Sequence, residues 1–179
     1  MENPASQSIE QNARGEEWFL SQLELSPVPA NEIIPFLVSV REEGKSDQAD
    51  QWAELLCDTL IERKNLQALL AVLKVRVTWH PATSVMCAKW KSIAQRALES
   101  DAERKSFVDH VGFGQLAPVE CVRRLELLMA LKPGTLCLDK TWGFGVVKKV
   151  DGFYGRVQID FEKKPGHALS LAYAAEVLQ

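Results

Sequence analysis

The hydrophobic pattern of the chain changes near residue 132. Residues 133–161 read PGTLCLDKTWGFGVVKKVDGFYGRVQIDF, with apolar residues in short runs and glycines between them. Val157, Ile159 and Phe161 alternate with polar residues, which is typical of a strand with one buried face. The dipeptide at 151–152, Asp-Gly, is a hairpin signal. This stretch therefore predicts antiparallel β structure.

The same pattern continues to the end of the sequence. Five short strands are predicted within residues 132–179: Thr135–Leu138, Val146–Val150, Arg156–Phe161, His167–Leu171 and Val177–Leu178. A flat sheet of this size would leave both edges exposed and would be barely stable alone. We therefore expect a small closed barrel of the SH3 or Tudor type.

The sequence before residue 132 has helical periodicity instead. Apolar residues recur at spacings of three and four over residues 16–131, in six or seven segments joined by short connections. This predicts an all-α domain, either a helical bundle or a short helical-repeat stack, although no repeat of fixed period is found. Residues 1–15 are polar and are expected to form a flexible arm. The fold class is thus mainly α, followed by a small β-barrel.

Composition excludes several classes of protein. The 179 residues are 46% hydrophobic and 25% charged, which is typical of a soluble globular protein. No apolar run approaches the roughly 18 residues that span a bilayer, and the N-terminus lacks the apolar core of a secretory signal. The four cysteines form no CxxC pair, so we expect reduced, mostly buried thiols in a cytoplasmic protein.

Two features of the β segment resemble a known group of barrels. These are the opening Pro133-Gly134-Thr135 through Trp142-Gly143-Phe144-Gly145-Val146-Val147, and the later strand Val157-Gln158-Ile159-Asp160-Phe161. They resemble the RNA polymerase-interacting barrels of CarD-like and transcription-repair coupling proteins, and the Tudor-like tail of UvrD-type helicases. The histidine common before the aromatic-glycine step is absent here, where Lys140 supplies a basic residue.

The fuller pattern is similar to the N-terminal region of long GreA/GreB-type transcription elongation factors. It runs from Trp142-Gly143-Phe144-Gly145 through Pro165-Gly166-His167 to Tyr173-Ala174. The resemblance implies a bacterial protein that docks to RNA polymerase. The Gre module itself needs a long antiparallel coiled coil, which this sequence lacks, so the chain is expected to be a fragment without transcript-cleavage activity.

No enzyme site is predicted from the residues. The three histidines are scattered and match no metal-binding spacing, and the glycine pairs at 112–114 and 143–145 lack the rest of a phosphate loop. We therefore expect no catalytic residue, no metal ligand and no cofactor.

The candidate partner-binding residues lie in the β segment. They are aromatic and basic: Trp142, Phe144, Lys148, Lys149, Phe153, Tyr154 and Arg156. Such groups anchor protein interfaces, and an exposed edge strand could pair with a partner sheet. The alternative is a nucleic-acid-binding module, in which the lysines and arginine contact phosphates and the aromatic rings stack on bases. A methyl-lysine reader with an aromatic cage ranks third.

Charge favours the protein partner. Residues 132–179 carry seven Lys or Arg and five Asp or Glu, a net charge of +2 in a chain whose net charge is −3. A protein that binds mainly through phosphate contacts usually has a larger basic excess. The sequence therefore predicts docking to RNA polymerase first, and nucleic-acid binding second.

Overall fold

The computed structural model describes residues 15–178. The flexible arm predicted for residues 1–15 lies outside the described residues, except for Gly15. The chain divides into two compact units, Met1–Arg76 and Val77–Gln179. The prediction of a mainly helical chain with a small β region near its C-terminus is confirmed.

The described part of the first unit, residues 15–76, contains four helices. They are α1 (Glu16–Glu24), α2 (Ala30–Glu42), α3 (Ser46–Glu62) and α4 (Leu66–Arg76). Aromatic rings from three of them meet in the core: Phe19 and Trp52 stack with ring centroids 5.1 Å apart, and Phe36 stacks on the same tryptophan at 5.7 Å. Trp52 of α3 thus packs against both α1 and α2.

A buried arginine joins two of these helices. Arg76, at the end of α4, is 1% exposed, and its guanidinium donates to the Glu54 carboxylate at 3.2 Å and to the Asp50 carbonyl at 3.3 Å. Both partners lie on α3. A buried charge needs such partners because its desolvation is costly.

The second unit combines four helices with a sheet. The helices are α5 (Ser84–Ala97), α6 (Ala102–Phe107), α7 (Pro118–Ala130) and α8 (Leu171–Val177). The strands are β1 (Leu136–Asp139), β2 (Gly143–Asp151), β3 (Arg156–Phe161) and β4 (Lys164–Ser170). They form an antiparallel sheet in the order β1-β2-β3-β4. Within the described residues, β1 and β4 are its edges.

The alternation predicted for β3 is confirmed. Val157, Ile159 and Phe161 are buried, whereas Arg156 and Gln158 are exposed on the outer face. A register shift between Val147 and Lys149 interrupts the pairing of β2 with β3. Because of this bulge, two consecutive lysines, Lys148 and Lys149, are both exposed.

The prediction of a fifth strand at Val177–Leu178 is wrong. The segment Leu171–Val177 is α8, and the Ser170 hydroxyl caps it by accepting a hydrogen bond from the Tyr173 N–H at 3.2 Å. Serine is a favoured N-cap residue, and the alanines at 172, 174 and 175 have high helix propensity. These local preferences override the short apolar run that suggested a strand.

Helices α5–α7 group with the sheet in one compact unit, and the boundary expected between 16–131 and 132–179 stays a prediction. The contacts divide after Arg76, because α5–α7 belong to the same unit as the sheet. The Gly152 N–H donates to the Glu103 carboxylate at 3.1 Å, and the Ser106 hydroxyl donates to the Gly152 carbonyl at 2.8 Å. The hairpin between β2 and β3 is thus bound to helix α6.

Candidate interaction surface

The predicted partner-binding residues occupy the two ends of β2. Trp142 and Phe144 lie at its start, whereas Phe153 and Tyr154 follow its end. The seven residue steps from Phe144 to Asp151 span about 23 Å at a strand rise of about 3.3 Å. The structure therefore separates these residues into two surfaces.

Trp142 is half-buried in the second unit. Its ring centroid lies 5.3 Å from that of His167 on β4, and the Lys164 ammonium lies 4.6 Å from the ring centroid. The imidazole of His167 also lies 6.2 Å from the Phe161 ring. Much of the tryptophan ring is thus used for packing and for a cation–π contact within the chain.

A buried aspartate, which the sequence analysis did not select, positions Trp142. The Asp139 side-chain oxygen Oδ1 accepts hydrogen bonds from the Thr141 N–H at 2.7 Å and from the Trp142 N–H at 2.9 Å. This arrangement is an Asx turn, in which the side chain satisfies the backbone of the following residues. The sequence carried a signal for this turn, because Asp139 directly follows the predicted strand Thr135–Leu138 and precedes the Trp-Gly-Phe-Gly step.

Gly145 is required by close packing. A Cβ atom at this position would lie 2.6 Å from the Phe161 ring and 2.7 Å from the Ile159 side chain. Gly143 has a φ of +78°, a left-handed conformation that side chains with a Cβ disfavour. Both glycines of the Trp-Gly-Phe-Gly step therefore have an architectural role.

An apolar patch covers the outer face at this end of the sheet. It consists of Leu136, Leu138, Phe144 and Val146, and we refer to it as the β1–β2 patch. Leu136 pairs with Val146, and Leu138 pairs with Phe144, so the four side chains share one face. Leu136 is 73% exposed and Phe144 is 61% exposed. An open groove of about 340 Å³ runs beside them, with Asp160 and Glu162 on its border.

The backbone of β1 is open beside this patch. The Phe144 carbonyl accepts from the Glu162 N–H at 3.0 Å, on the side away from β1. In an antiparallel ladder hydrogen-bonded pairs alternate with non-bonded ones. The pairs formed by Leu136 and Leu138 are therefore the non-bonded ones, and their N–H and C=O groups point away from β2 along the free edge.

The other end of β2 carries two exposed aromatic residues on an anchored hairpin. Phe153 is 73% exposed and Tyr154 is 79% exposed. The Asp151 carboxylate accepts from the Tyr154 N–H at 3.1 Å. On the buried side, a Cβ at Gly152 would lie 2.5 Å from the Glu103 carbonyl, and one at Gly155 would lie 2.7 Å from the His110 ring. The turn is thus fixed against helices while its aromatic rings face solvent.

The basic side chains on the outer face differ in their partners. The Lys148 ammonium lies 3.2 Å from the Asp160 carboxylate, and the Lys149 ammonium lies 3.4 Å from that of Asp151. The Gly166 N–H and the Lys148 ammonium hold the pKa of Asp160 below its usual value. Arg156 is exposed and forms no ion pair within residues 15–178. It borders an open groove of about 300 Å³ together with Lys149, Gln158, Gly166 and Ala168.

The histidines and cysteines are dispersed. His80 lies beside Trp90, His110 beside Gly155 and His167 beside Trp142. Burial raises the pKa of both Cys57 and Cys121 to about 11. Across the described part of the chain, no three His, Cys, Asp or Glu side chains are grouped as a metal ion would require. No helix within residues 15–178 has both the length and the apolar character needed to cross a membrane.

Comparison with known proteins yields no relative: no family model matches the chain, and no match is found among curated proteins or solved structures.

Proposed function

We propose that this chain is a non-catalytic interaction region of a bacterial transcription elongation factor, similar to the N-terminal part of the long Gre-type factors. It docks to RNA polymerase through its C-terminal β region and acts in the cytoplasm. The observation that carries this proposal is the exposed β1–β2 patch beside the open edge of β1. Large apolar side chains that remain exposed together on one sheet face mark interaction sites.

The proposal includes a small SH3/Tudor-like barrel. Its support is the curling of the four-stranded sheet: Trp142, in the turn between β1 and β2, contacts His167 on β4, the opposite edge strand. A flat sheet would hold the backbones of these two residues two to two and a half strand spacings apart, roughly 10–12 Å. Curling brings the two edges toward each other, as barrel formation requires.

Strand addition is the binding mode that this surface favours. The outward N–H and C=O groups of Leu136 and Leu138 would pair with a partner strand, and the apolar side chains of the β1–β2 patch would select its sequence. The other edge is less suited to pairing, because β4 begins Lys164-Pro165 and proline has no N–H to donate. We therefore assign docking to β1.

Leu136 and Phe144, rather than Trp142, are the side chains that we expect to select the partner. Trp142 is engaged with His167 and Lys164, whereas Leu136 and Phe144 are free to contact a partner. A variant at Trp142 would mix loss of binding with loss of packing. Leu136 and Phe144 are therefore the better positions for a test.

The test is co-elution of the chain with core RNA polymerase at moderate salt. We expect Leu136→Arg to abolish co-elution, because a charge on the β1–β2 patch would have to be desolvated on binding. Val85→Arg is the matched control, because Val85 on α5 is 74% exposed and lies outside the patch. Co-elution of the Leu136→Arg variant at the wild-type level, or its absence in the wild type, would contradict the proposal.

A second variant tests strand addition. Leu136→Pro removes one outward N–H from β1 without removing a hydrogen bond to β2. We expect it to weaken co-elution more than Leu136→Ala does, since only the proline removes a main-chain donor. Equal effects of the two substitutions would show that the side chain alone makes the contact.

A further inference from the structure

The hairpin between β2 and β3 presents its aromatic residues on a rigid support. We refer to Phe153, Tyr154, Arg156, Lys148 and Lys149 as the hairpin surface. Two hydrogen bonds tie Gly152 to helix α6, and the Leu171 N–H donates to the Gly155 carbonyl at 2.8 Å. A ligand that stacks on Phe153 or Tyr154 therefore needs to order only the two aromatic side chains, which lowers the entropic cost of binding.

Positive charge lies beside these rings. Arg156 directly follows the hairpin turn, and Lys149 borders the same groove as Arg156. Both lysines of the hairpin surface are paired with carboxylates, but these ion pairs are exposed. Exposed pairs are worth little, so a phosphate can compete for the ammonium groups. Gly166 and Ala168 also border this groove. Because glycine has no side chain and alanine has only a methyl group, they leave room for a nucleic-acid backbone.

The residues around the Phe153 and Tyr154 rings favour a nucleic acid over a protein as the binding partner. The tip sequence is Asp151-Gly152-Phe153-Tyr154-Gly155-Arg156, in which only the two rings are apolar. Protein hot spots are usually surrounded by further contacts that exclude water. Stacking on a base needs only an accessible ring face, with nearby cations for the phosphates.

We propose that the hairpin surface binds single-stranded nucleic acid, with Phe153 and Tyr154 stacking on bases and with Arg156, Lys148 and Lys149 contacting phosphates. This site lies at the other end of β2 from the β1–β2 patch. The two rings and Arg156 thus lie apart from the patch, whereas Lys148, paired with Asp160, lies next to the groove beside it.

The charge predicts a shallow salt dependence. Each phosphate contact to a single strand contributes about −0.7 to the slope of log K against log salt, so three cations give a slope of about −2. Binding should thus be detectable at low salt and weaken by roughly 16-fold for a fourfold rise in salt concentration.

The experiment measures the fluorescence anisotropy of labelled 12-nucleotide oligo(dT) and oligo(U) with the full chain, from low to physiological salt. Removal of one ring, as in Phe153→Ala or Tyr154→Ala, should weaken binding by about fivefold or more, which is the lower range for loss of base stacking. Arg156→Ala should reduce the magnitude of the salt slope by about 0.7. Val85→Ala, which removes an exposed apolar side chain of α5 outside both surfaces, is the matched control and should bind like the wild type.

Three results would overturn this proposal. They are absence of wild-type binding at low salt, equal binding by wild type and both ring variants, and equal loss in the Val85→Ala control. Circular dichroism spectra identical to the wild type would show that the variants are folded, which both turn positions permit because their rings are exposed. Polymerase co-elution lost through Phe153→Ala without any effect on oligonucleotide binding would assign the hairpin surface to a protein instead.

Discussion

The Asp139 carboxylate holds the backbone of Trp142, through a hydrogen bond of 2.9 Å from the Trp142 N–H to Oδ1. The same oxygen accepts from the Thr141 N–H at 2.7 Å. Asp139 is only 3% exposed, so this turn is built on a buried carboxylate. Its two hydrogen bonds are charge-assisted, which makes them stronger than bonds between neutral groups.

We expect Asp139→Ala to lower the free energy of unfolding by about 2–4 kcal/mol, because two backbone donors lose their charged acceptor. Asp139→Asn retains a carbonyl oxygen in the same place and should cost about half as much. Urea unfolding followed by circular dichroism measures both. Equal losses for Asn and Ala would show that the two hydrogen bonds do not stabilise the turn.

Close packing at the Trp-Gly-Phe-Gly step predicts that alanine substitutions there lower the stability of the protein. Gly145→Ala places a Cβ against the rings and methyl groups of β3 and should cost about 2 kcal/mol or more. At Gly143 the nearest atom to such a Cβ is 3.7 Å away, and only the φ of +78° opposes it. Gly143→Ala should therefore cost about 1–2 kcal/mol. Thermal unfolding of the two variants at the same pH shows which substitution lowers the stability more.

The carboxylate of Glu120, on α7, makes a pH-dependent contribution to the stability of the fold. Hydrogen bonds from Arg123 and Arg124 lower the pKa of Glu120 to about 2, from an ordinary value of 4.5. The folded pKa is depressed, so the stabilisation is present above about pH 4.5 and is lost as the pH falls toward 2. Arg123 also donates to the Ala175 carbonyl on α8 at 3.0 Å, which links the two helices.

Glu120→Gln should thus destabilise the protein by about 1 kcal/mol at pH 7, a value reduced for the solvent screening of a carboxylate that is one-third exposed. Unfolding in urea at pH 7 and near pH 2.5 measures the difference between variant and wild type. That difference should shrink at the lower pH. A difference that stays constant would mean that the charge of Glu120 does not contribute.

The thiols should be unreactive while the protein is folded. Cys57, Cys87, Cys121 and Cys137 are all buried. With pKa values of about 11, the Cys57 and Cys121 thiols have roughly one molecule in a thousand ionised at pH 8. We expect labelling by an aromatic disulfide reagent only after denaturation. A cysteine that reacts in the native protein at the rate of a free thiol would contradict this burial.

The position of the division in the chain can be tested with fragments. Residues 77–179 retain helices α5–α7 together with the sheet, and we expect this fragment to unfold cooperatively. Residues 132–179 lose the contacts of Gly152 with α6 and of Ala175 with α7, and this fragment should lack a cooperative transition. Circular dichroism during heating measures both. Cooperative unfolding of 132–179 would instead support the boundary expected from the sequence.

The local pattern of the sequence predicted most secondary structure. Alternation over Arg156–Phe161 predicted β3 with its buried face, and apolar residues at spacings of three and four predicted the helical region before residue 132. These signals work because the side chains that produce them lie within a few residues of one another. Phe144, Phe153 and Tyr154 were selected from the sequence as candidate binding residues, and all three are exposed.

The features that depend on contacts between residues far apart in the chain were visible only in the tertiary structure. The half-burial of Trp142 depends on His167 and Lys164, and the anchoring of the β2–β3 hairpin depends on Glu103. Neither contact has a periodic signal, because partners 20 to 50 residues apart are matched only when the elements pack. The sequence by itself thus determined the helices, the β-strand pattern and the supply of exposed aromatic residues. Only packing separated those residues into two surfaces, because a strand of nine residues holds its two ends far apart.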